Sequence, residues 1–269
     1  MKDLPFFRHL REKKILDYTI IVDGSYSMNF FPDKDGKYSK KKKKWTGLPG
    51  KNDRSRWDQA REAALLLVEP VTTLDPDGLD LYIFSSKEPI YYPNVSNPVF
   101  IRDIFNHKVQ PYGGTDLHGV LKVAIERRRP KETILVITDG KPDKHDNIDK
   151  VKRLLVETTK KLKSADELSI SFIQIGQDKE AQQFLQTLDD DLEALGARFD
   201  IVECLTYEDL HLIDFSNFIK LVLESQPCSR CDTQNRTIKL LQARLIEAEH
   251  RIQQLNAQNQ YFREQQAKG

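Results

Sequence analysis

The sequence predicts a doubly wound α/β sandwich, a mostly parallel sheet with one antiparallel edge strand, followed by a C-terminal coiled-coil helix. Aliphatic and β-branched runs of strand length recur at 16–22, 79–85, 133–138, 168–175 and 199–205. Helical patterns at 57–71, 116–129, 146–163, 178–195 and 208–224 separate most of them. The runs are apolar on both faces, which requires helices above and below, and such sheets are mainly parallel.

The first run, Tyr18-Thr19-Ile20-Ile21-Val22, leads directly into Asp23-Gly24-Ser25-Tyr26-Ser27. A long polar segment, 28–56, precedes the first helical pattern, and Asp75-Pro76-Asp77-Gly78 is a turn between that helix and the second strand. Glu88-Pro89-Ile90-Tyr91-Tyr92-Pro93 follows after a very short turn. Its prolines lack the N–H that a central ladder needs, so it is the antiparallel edge. Gly113-Gly114-Thr115-Asp116 opens the next helix, and Ile134-Leu135-Val136-Ile137-Thr138 runs into Asp139-Gly140. In open doubly wound sheets ligands bind beyond the carboxyl ends of strands, where the strand order reverses. Asp23 and Asp139 both end strands, and Thr115 lies in a loop whose paired glycines let the backbone come close.

These segments supply two carboxylates and three hydroxyls, with no His or Cys among them. That is a hard-oxygen set suited to Mg2+, with Mn2+ the alternative: one or two carboxylates and positions left for water or a partner. Singly, each piece is an ordinary turn in which Asp or Ser bonds its own backbone. Their combination and order identify the site. The pattern D-x-S-x-S, a Thr after paired glycines, and an Asp closing a hydrophobic strand resembles the von Willebrand factor A (vWA) domain over residues 15–224. The resemblance implies a metal-ion-dependent adhesion site (MIDAS) made by Asp23, Ser25, Ser27, Thr115 and Asp139. It further implies that the metal captures an Asp or Glu carboxylate of a partner protein, and that intracellular relatives act as adaptors in larger assemblies.

Two other function classes compete with this reading. A strand-terminal Asp with magnesium also opens haloacid-dehalogenase-type phosphatases, but those need a second Asp two residues on, where this chain has Ser25. There is no G-x-x-x-x-G-K-[ST] phosphate loop. His118 is read as a surface or helix-packing residue, and His107, His145 and His211 show no ligand spacing with the cysteines. The expectation is therefore not an enzyme. A metal-independent oligomeric scaffold is the alternative from another class.

Composition fits this reading. The 269 residues carry 42 Lys and Arg against 41 Asp and Glu, a net charge of +1, so charge gives no global steering to nucleic acid or anionic membrane. No apolar stretch approaches the ~20 residues that span a bilayer. Residues 1–14 form an N-terminal extension without the apolar core of a secretory signal. Three cysteines are too few, and odd in number, for a disulfide framework. A cytoplasmic protein is expected.

The insertion 28–56 holds ten basic residues against three acidic ones. Lys40, Lys41, Lys42, Lys43 and Lys44, extended by Lys141, form either a solvated loop or a basic rim that draws an acidic partner towards the metal. Phosphates of nucleic acid or anionic membrane are a further possibility for the lysine run. Beyond a linker at 225–235, residues 236–265 read as a coiled-coil helix. Ile238, Leu241, Leu245, Ala248, Ile252, Leu255, Asn259 and Phe262 alternate spacings of three and four, favouring a parallel homodimer or small homo-oligomer. A single helix packing back on its own domain would use the same stripe. Cys228 and Cys231 are half of a Zn2+ site that two chains of a parallel coil would complete, or else a redox pair or plain linker cysteines. Cys204 is expected to be a buried apolar residue of the last strand.

Overall fold

The computed structural model describes residues 17–32, 38–39, 54–74, 77–140, 142 and 145–211. The N-terminal extension 1–14, Lys40 to Lys44, Lys141, the linker with Cys228 and Cys231, and the coiled-coil helix 236–265 lie outside the described residues.

Six strands form one sheet: β1 (Asp17–Asp23), β2 (Leu79–Phe84), β3 (Ile90–Val95), β4 (Glu132–Thr138), β5 (Leu168–Gln174) and β6 (Val202–Thr206). Their order is β3-β2-β1-β4-β5-β6. Every neighbouring pair is parallel except β2 with β3. This is the mixed α/β sandwich that the sequence predicts, with its antiparallel strand on the edge. The helices are α1 (Arg56–Leu74), α2 (Pro98–Asp103), α3 (Leu117–Arg127), α4 (His145–Lys161), α5 (Lys179–Asp190) and α6 (Tyr207–His211). No helix among the described residues is long and apolar enough to cross a membrane.

The buried core lies on both faces, as the apolar runs require. Ile21, Tyr82, Val136 and Phe172 pack with Leu121 of α3, Leu155 of α4 and Leu185 of α5. Side chains alternate across a strand, so Ile20, Val22, Leu81, Ile83 and Leu135, all buried, face the other way. There α1 crosses β1, β2 and β4, presenting Ala60, Ala64 and Leu67, which are fully buried or nearly so. Small residues let this helix sit close to the sheet.

Several boundaries differ from the sequence reading. Helix α2 and the π-helical turn Ile104–Lys108 after it are additional elements. They are too short for a periodic signal, and they form because the Asn97 side chain accepts from the Val99 N–H at 2.9 Å and Pro98 starts the helix. Trp57 of α1 secures them, its indole N–H donating to the Phe105 carbonyl at 3.2 Å and its ring 4.5 Å from that of Phe105. Helix α5 stops at Asp190 rather than 195, and the chain leaves it through turns that end on Gly196, at φ +98°. Strand β6 begins at Val202 rather than 199. Cys204 is half-buried rather than fully buried, its thiol donating to the Leu185 carbonyl at 3.1 Å. Burial and neighbouring carboxylates push that thiol's pKa up, which makes it a poor nucleophile.

From β1 the chain moves outward to β2 and β3, then returns to the far side of β1 to make β4. The order therefore reverses between β1 and β4, which end side by side. Asp23 is the last residue of β1, and Asp139 follows the last residue of β4.

Candidate functional site

Asp23 is fully buried at the end of β1. One carboxylate oxygen accepts from the Ser25 N–H at 2.8 Å, and the other accepts from the Thr138 hydroxyl at 2.7 Å. The first bond closes an Asx turn, the local chemistry expected of an Asp two residues before a Ser. Gly24 continues towards β2 through its N–H on the Phe84 carbonyl at 2.7 Å. A Cβ there would lie 3.0 Å from Ile83 Cγ2 and 3.2 Å from that carbonyl, so any larger spacer in D-x-S makes β2 give by a few tenths of an ångström. The chain then makes a 3-10 turn, Tyr26–Asn29, anchored by the buried Met28. This turn brings the Ser25 and Ser27 hydroxyls to 3.1 Å from one another.

The Thr115 loop is strapped to the same turn. Tyr26 donates its N–H to the Gly113 carbonyl at 2.9 Å, and Tyr112 donates to the Gly24 carbonyl at 2.8 Å. The Asn29 amide donates to the Pro111 carbonyl at 3.0 Å. Gly113 has φ +73°, and a Cβ on it would stand 2.6 Å from the Ser86 hydroxyl. The left-handed φ favours glycine, and a Cβ would in addition force the Ser86 hydroxyl aside. Thr115 is buried. Asp116 caps α3 by accepting from the Gly119 N–H at 3.0 Å, which fixes the loop's exit.

Asp139 is buried beside Asp23, and its charge reaches that carboxyl. Burial, above all, and the neighbouring Asp139 lift Asp23 from the ordinary 3.8 to about 7, against the opposing hydrogen bonds from Ser25 and Thr138. Asp139 itself is met by a cation: the Arg56 guanidinium forms an ion pair with its Oδ2. Both partners are buried.

The fold thus joins the turn of Asp23, Ser25 and Ser27 to the Thr115 loop by three hydrogen bonds, with Asp139 next to Asp23. Among the described residues no group of three or more His, Cys, Asp or Glu converges. The donors here are two carboxylates and three hydroxyls, which fit a small hard cation and not zinc or copper. His118, read from the sequence as a surface or helix-packing residue, is half-buried at the second position of α3.

Two side chains of this site were not singled out from the sequence. Thr138 holds Asp23 from the neighbouring strand, and its signal was a hydroxyl at the end of an otherwise aliphatic run. Arg56 was counted with the basic residues of the exposed insertion. It is instead the buried first residue of α1. Arg54 is likewise committed, pairing with Glu62, which also accepts from the Tyr207 hydroxyl at 2.8 Å. Sequence spacing carries no trace of either pairing, because the partners are 83 and 8 residues away.

No protein-family model and no curated protein sequence matches this chain. Solved structures do match it. A point mutant of the PilB minor pilin from Streptococcus sanguinis superposes with a TM-score of 0.55 at 14% identity, covering 81% of this chain and 64% of the pilin. The unmutated pilin gives 0.52 at 14% identity over 79% and 62%. The chain therefore spans slightly less than two thirds of those proteins, and the likeness concerns the fold. Solved vWA domains are also among the similar structures. The SpRpn10 VWA domain has a TM-score of 0.48 at 12% identity over 75% of this chain and 96% of that domain, a score too low to carry weight alone.

Proposed function

We propose that this chain is a vWA-type interaction module whose MIDAS-like site binds Mg2+, or Mn2+, and captures an acidic residue of a partner protein. One observation carries the reading. Two buried carboxylates, Asp23 and Asp139, lie beside paired Ser25 and Ser27 hydroxyls at a topological switch point. Burial makes the fold oppose ionisation of Asp23, whose pKa is raised to about 7, as expected where a divalent cation belongs. Ser25, Ser27 and Thr115 would offer neutral oxygens, and Asp23 and Asp139 the charge. With so little negative charge around it, a bound cation stays electrophilic towards a carboxylate. Ligand capture, not turnover, is the chemistry this set supports, since Ser25 occupies the place of a second acid.

The same reading gives Lys40 to Lys44 and Lys141 the role of a basic rim for the acidic partner, ahead of nucleic acid or anionic membrane. It gives residues 236–265 the role of a self-associating coil. It places the protein in the cytoplasm as an adaptor. One observation favours the rival, a metal-independent scaffold: Asp139 already has a cation in Arg56.

The test is a pull-down from cell extract with Mg2+ and with EDTA, using wild type and Ser25→Ala. A partner kept only in Mg2+, and lost in the variant, is expected. The same partners under all conditions would transfer the function to the scaffold.

A further inference from the structure

We infer that Arg56 is an internal cation that competes with the divalent metal for Asp139 and thereby holds the metal affinity of the site low. This rests on the metal-site reading proposed above. Arg56 is not a stray surface side chain. Its N–H donates to the Phe30 carbonyl at 3.0 Å, just after the turn that carries Ser25 and Ser27. Before it, Ser55 caps α1, its hydroxyl accepting from the Asp58 N–H at 3.1 Å and donating to the Asp58 carboxylate at 2.7 Å. After it, Trp57 is fixed to Phe105. With the backbone held on both sides, the guanidinium is directed inward onto Asp139 Oδ2, and its carbon lies 5.9 Å over the Phe30 ring.

A buried guanidinium on one carboxylate of a two-carboxylate cation site has two electrostatic effects. It engages one oxygen of a carboxylate that would hold the metal, and its charge would repel a 2+ ion held by that carboxylate in a medium that screens poorly. Both effects act against the metal and in favour of the metal-free state. The pair also sets the two buried carboxylates apart: Asp139 is paired with the Arg56 guanidinium, while Asp23 accepts hydrogen bonds from Ser25 and Thr138. A positioning role, in which Arg56 orients Asp139 for the metal, predicts the opposite response to its removal.

The experiment compares Mn2+ binding, by electron paramagnetic resonance of the free ion, in wild type, Arg56→Met and Arg56→Lys of the full chain. Met keeps the aliphatic bulk and removes the charge, whereas Lys keeps the charge. Arg56→Met is expected to bind Mn2+ at least about tenfold more tightly than wild type, because even well-screened repulsion exceeds that factor. Arg56→Lys is expected to stay within about threefold of wild type by the same charge argument. Unchanged or weaker binding in Arg56→Met, with wild type binding normally, overturns the inference and leaves the metal site standing. No binding by any of the three overturns the metal site and the inference together. Should Arg56→Met not fold, the side-chain N–H resonance of Arg56 in wild type decides. On saturation with Mg2+ it should move to the position of a solvent-exposed guanidinium, and a resonance that stays put overturns the inference.

Discussion

Replacing Asp23 by Asn should stabilise the metal-free protein while destroying metal binding. In the native state the carboxyl is pushed from 3.8 up to about 7, chiefly by burial. A difference of roughly three pH units, at about 1.4 kcal/mol each, means that ionised Asp23 costs about 4 kcal/mol of stability well above pH 7. Asn carries no charge and avoids that cost. Its oxygen can still accept from the Ser25 N–H, but its amide must now donate to Thr138, whose hydroxyl has to turn towards Gly140. Such a rearrangement costs about 1–2 kcal/mol, so a net gain of about 2 kcal/mol is expected. For a domain of this size that is a rise of about 4–8 °C in Tm. The sign follows from the raised pKa. Below 3.8 the group is protonated in both folded and unfolded chains and contributes nothing; the penalty grows from there through 7 and is complete above it. The assay is urea unfolding in EDTA at pH 8, 6.5 and 5, for wild type and Asp23→Asn. The advantage of the variant should be largest at pH 8 and fade towards pH 5. Adding Mg2+ should stabilise wild type alone. A variant less stable than wild type at pH 8, or an advantage independent of pH, would refute the reasoning.

Three further outcomes are expected. Thr115→Ala should lower Mn2+ affinity at least about tenfold while the chain stays folded, since the loop's backbone is strapped to the turn of Ser25 and Ser27; calorimetry and circular dichroism check the two halves. Gly113→Ala should destabilise by about 1–3 kcal/mol, because φ is +73° and the new methyl meets Ser86; it should weaken metal binding in the same titration, and an unperturbed Tm would count against the strap. Glu132, buried and pushed up in pKa, accepts from the Thr19 hydroxyl and from the Arg129 N–H at 2.6 Å. Its ionised form is the unfavourable one in the fold, so the stability lost in Glu132→Gln should grow as pH falls from 7 towards 4.5, read from Tm against pH for both proteins.

The fold was legible because its signals are local and redundant. Strand β4 is buried at every position, and its unbroken aliphatic run says so without any structure. The edge strand was legible from Pro89 and Pro93. Two segments of the candidate site were legible because Asp23-Gly24-Ser25 and Gly113-Gly114-Thr115 write their own backbone turns. Helix α2 was not, since six residues give no period and its stability comes from Trp57, some forty residues earlier. Arg56 was not, because a basic residue at the end of a lysine-rich segment looks like more of the same. Only the fold, by beginning α1 at that residue, turns it inward.

That inward turn changes the charge balance of the site, and the balance has consequences for what the site can bind. Without metal, Arg56 neutralises Asp139, and Asp23 at neutral pH is divided between its acid and its anion. The metal-free site is close to neutral, so it has little pull on a partner's carboxylate and is no strong trap for cations. With a divalent ion added and Asp23 ionised, the two carboxylates, Arg56 and the metal leave one positive charge. A single Asp or Glu of a partner restores neutrality. Metal and partner then depend on each other: the partner's carboxylate relieves the repulsion between Arg56 and the metal, and metal affinity should rise when partner is present. Linkage makes the effect reciprocal, with partner affinity rising by the same factor when metal is present. On the function proposed above, the domain is expected to be off at low metal and to engage only when cation and carboxylate arrive together, a sharper requirement than a site without Arg56 would impose.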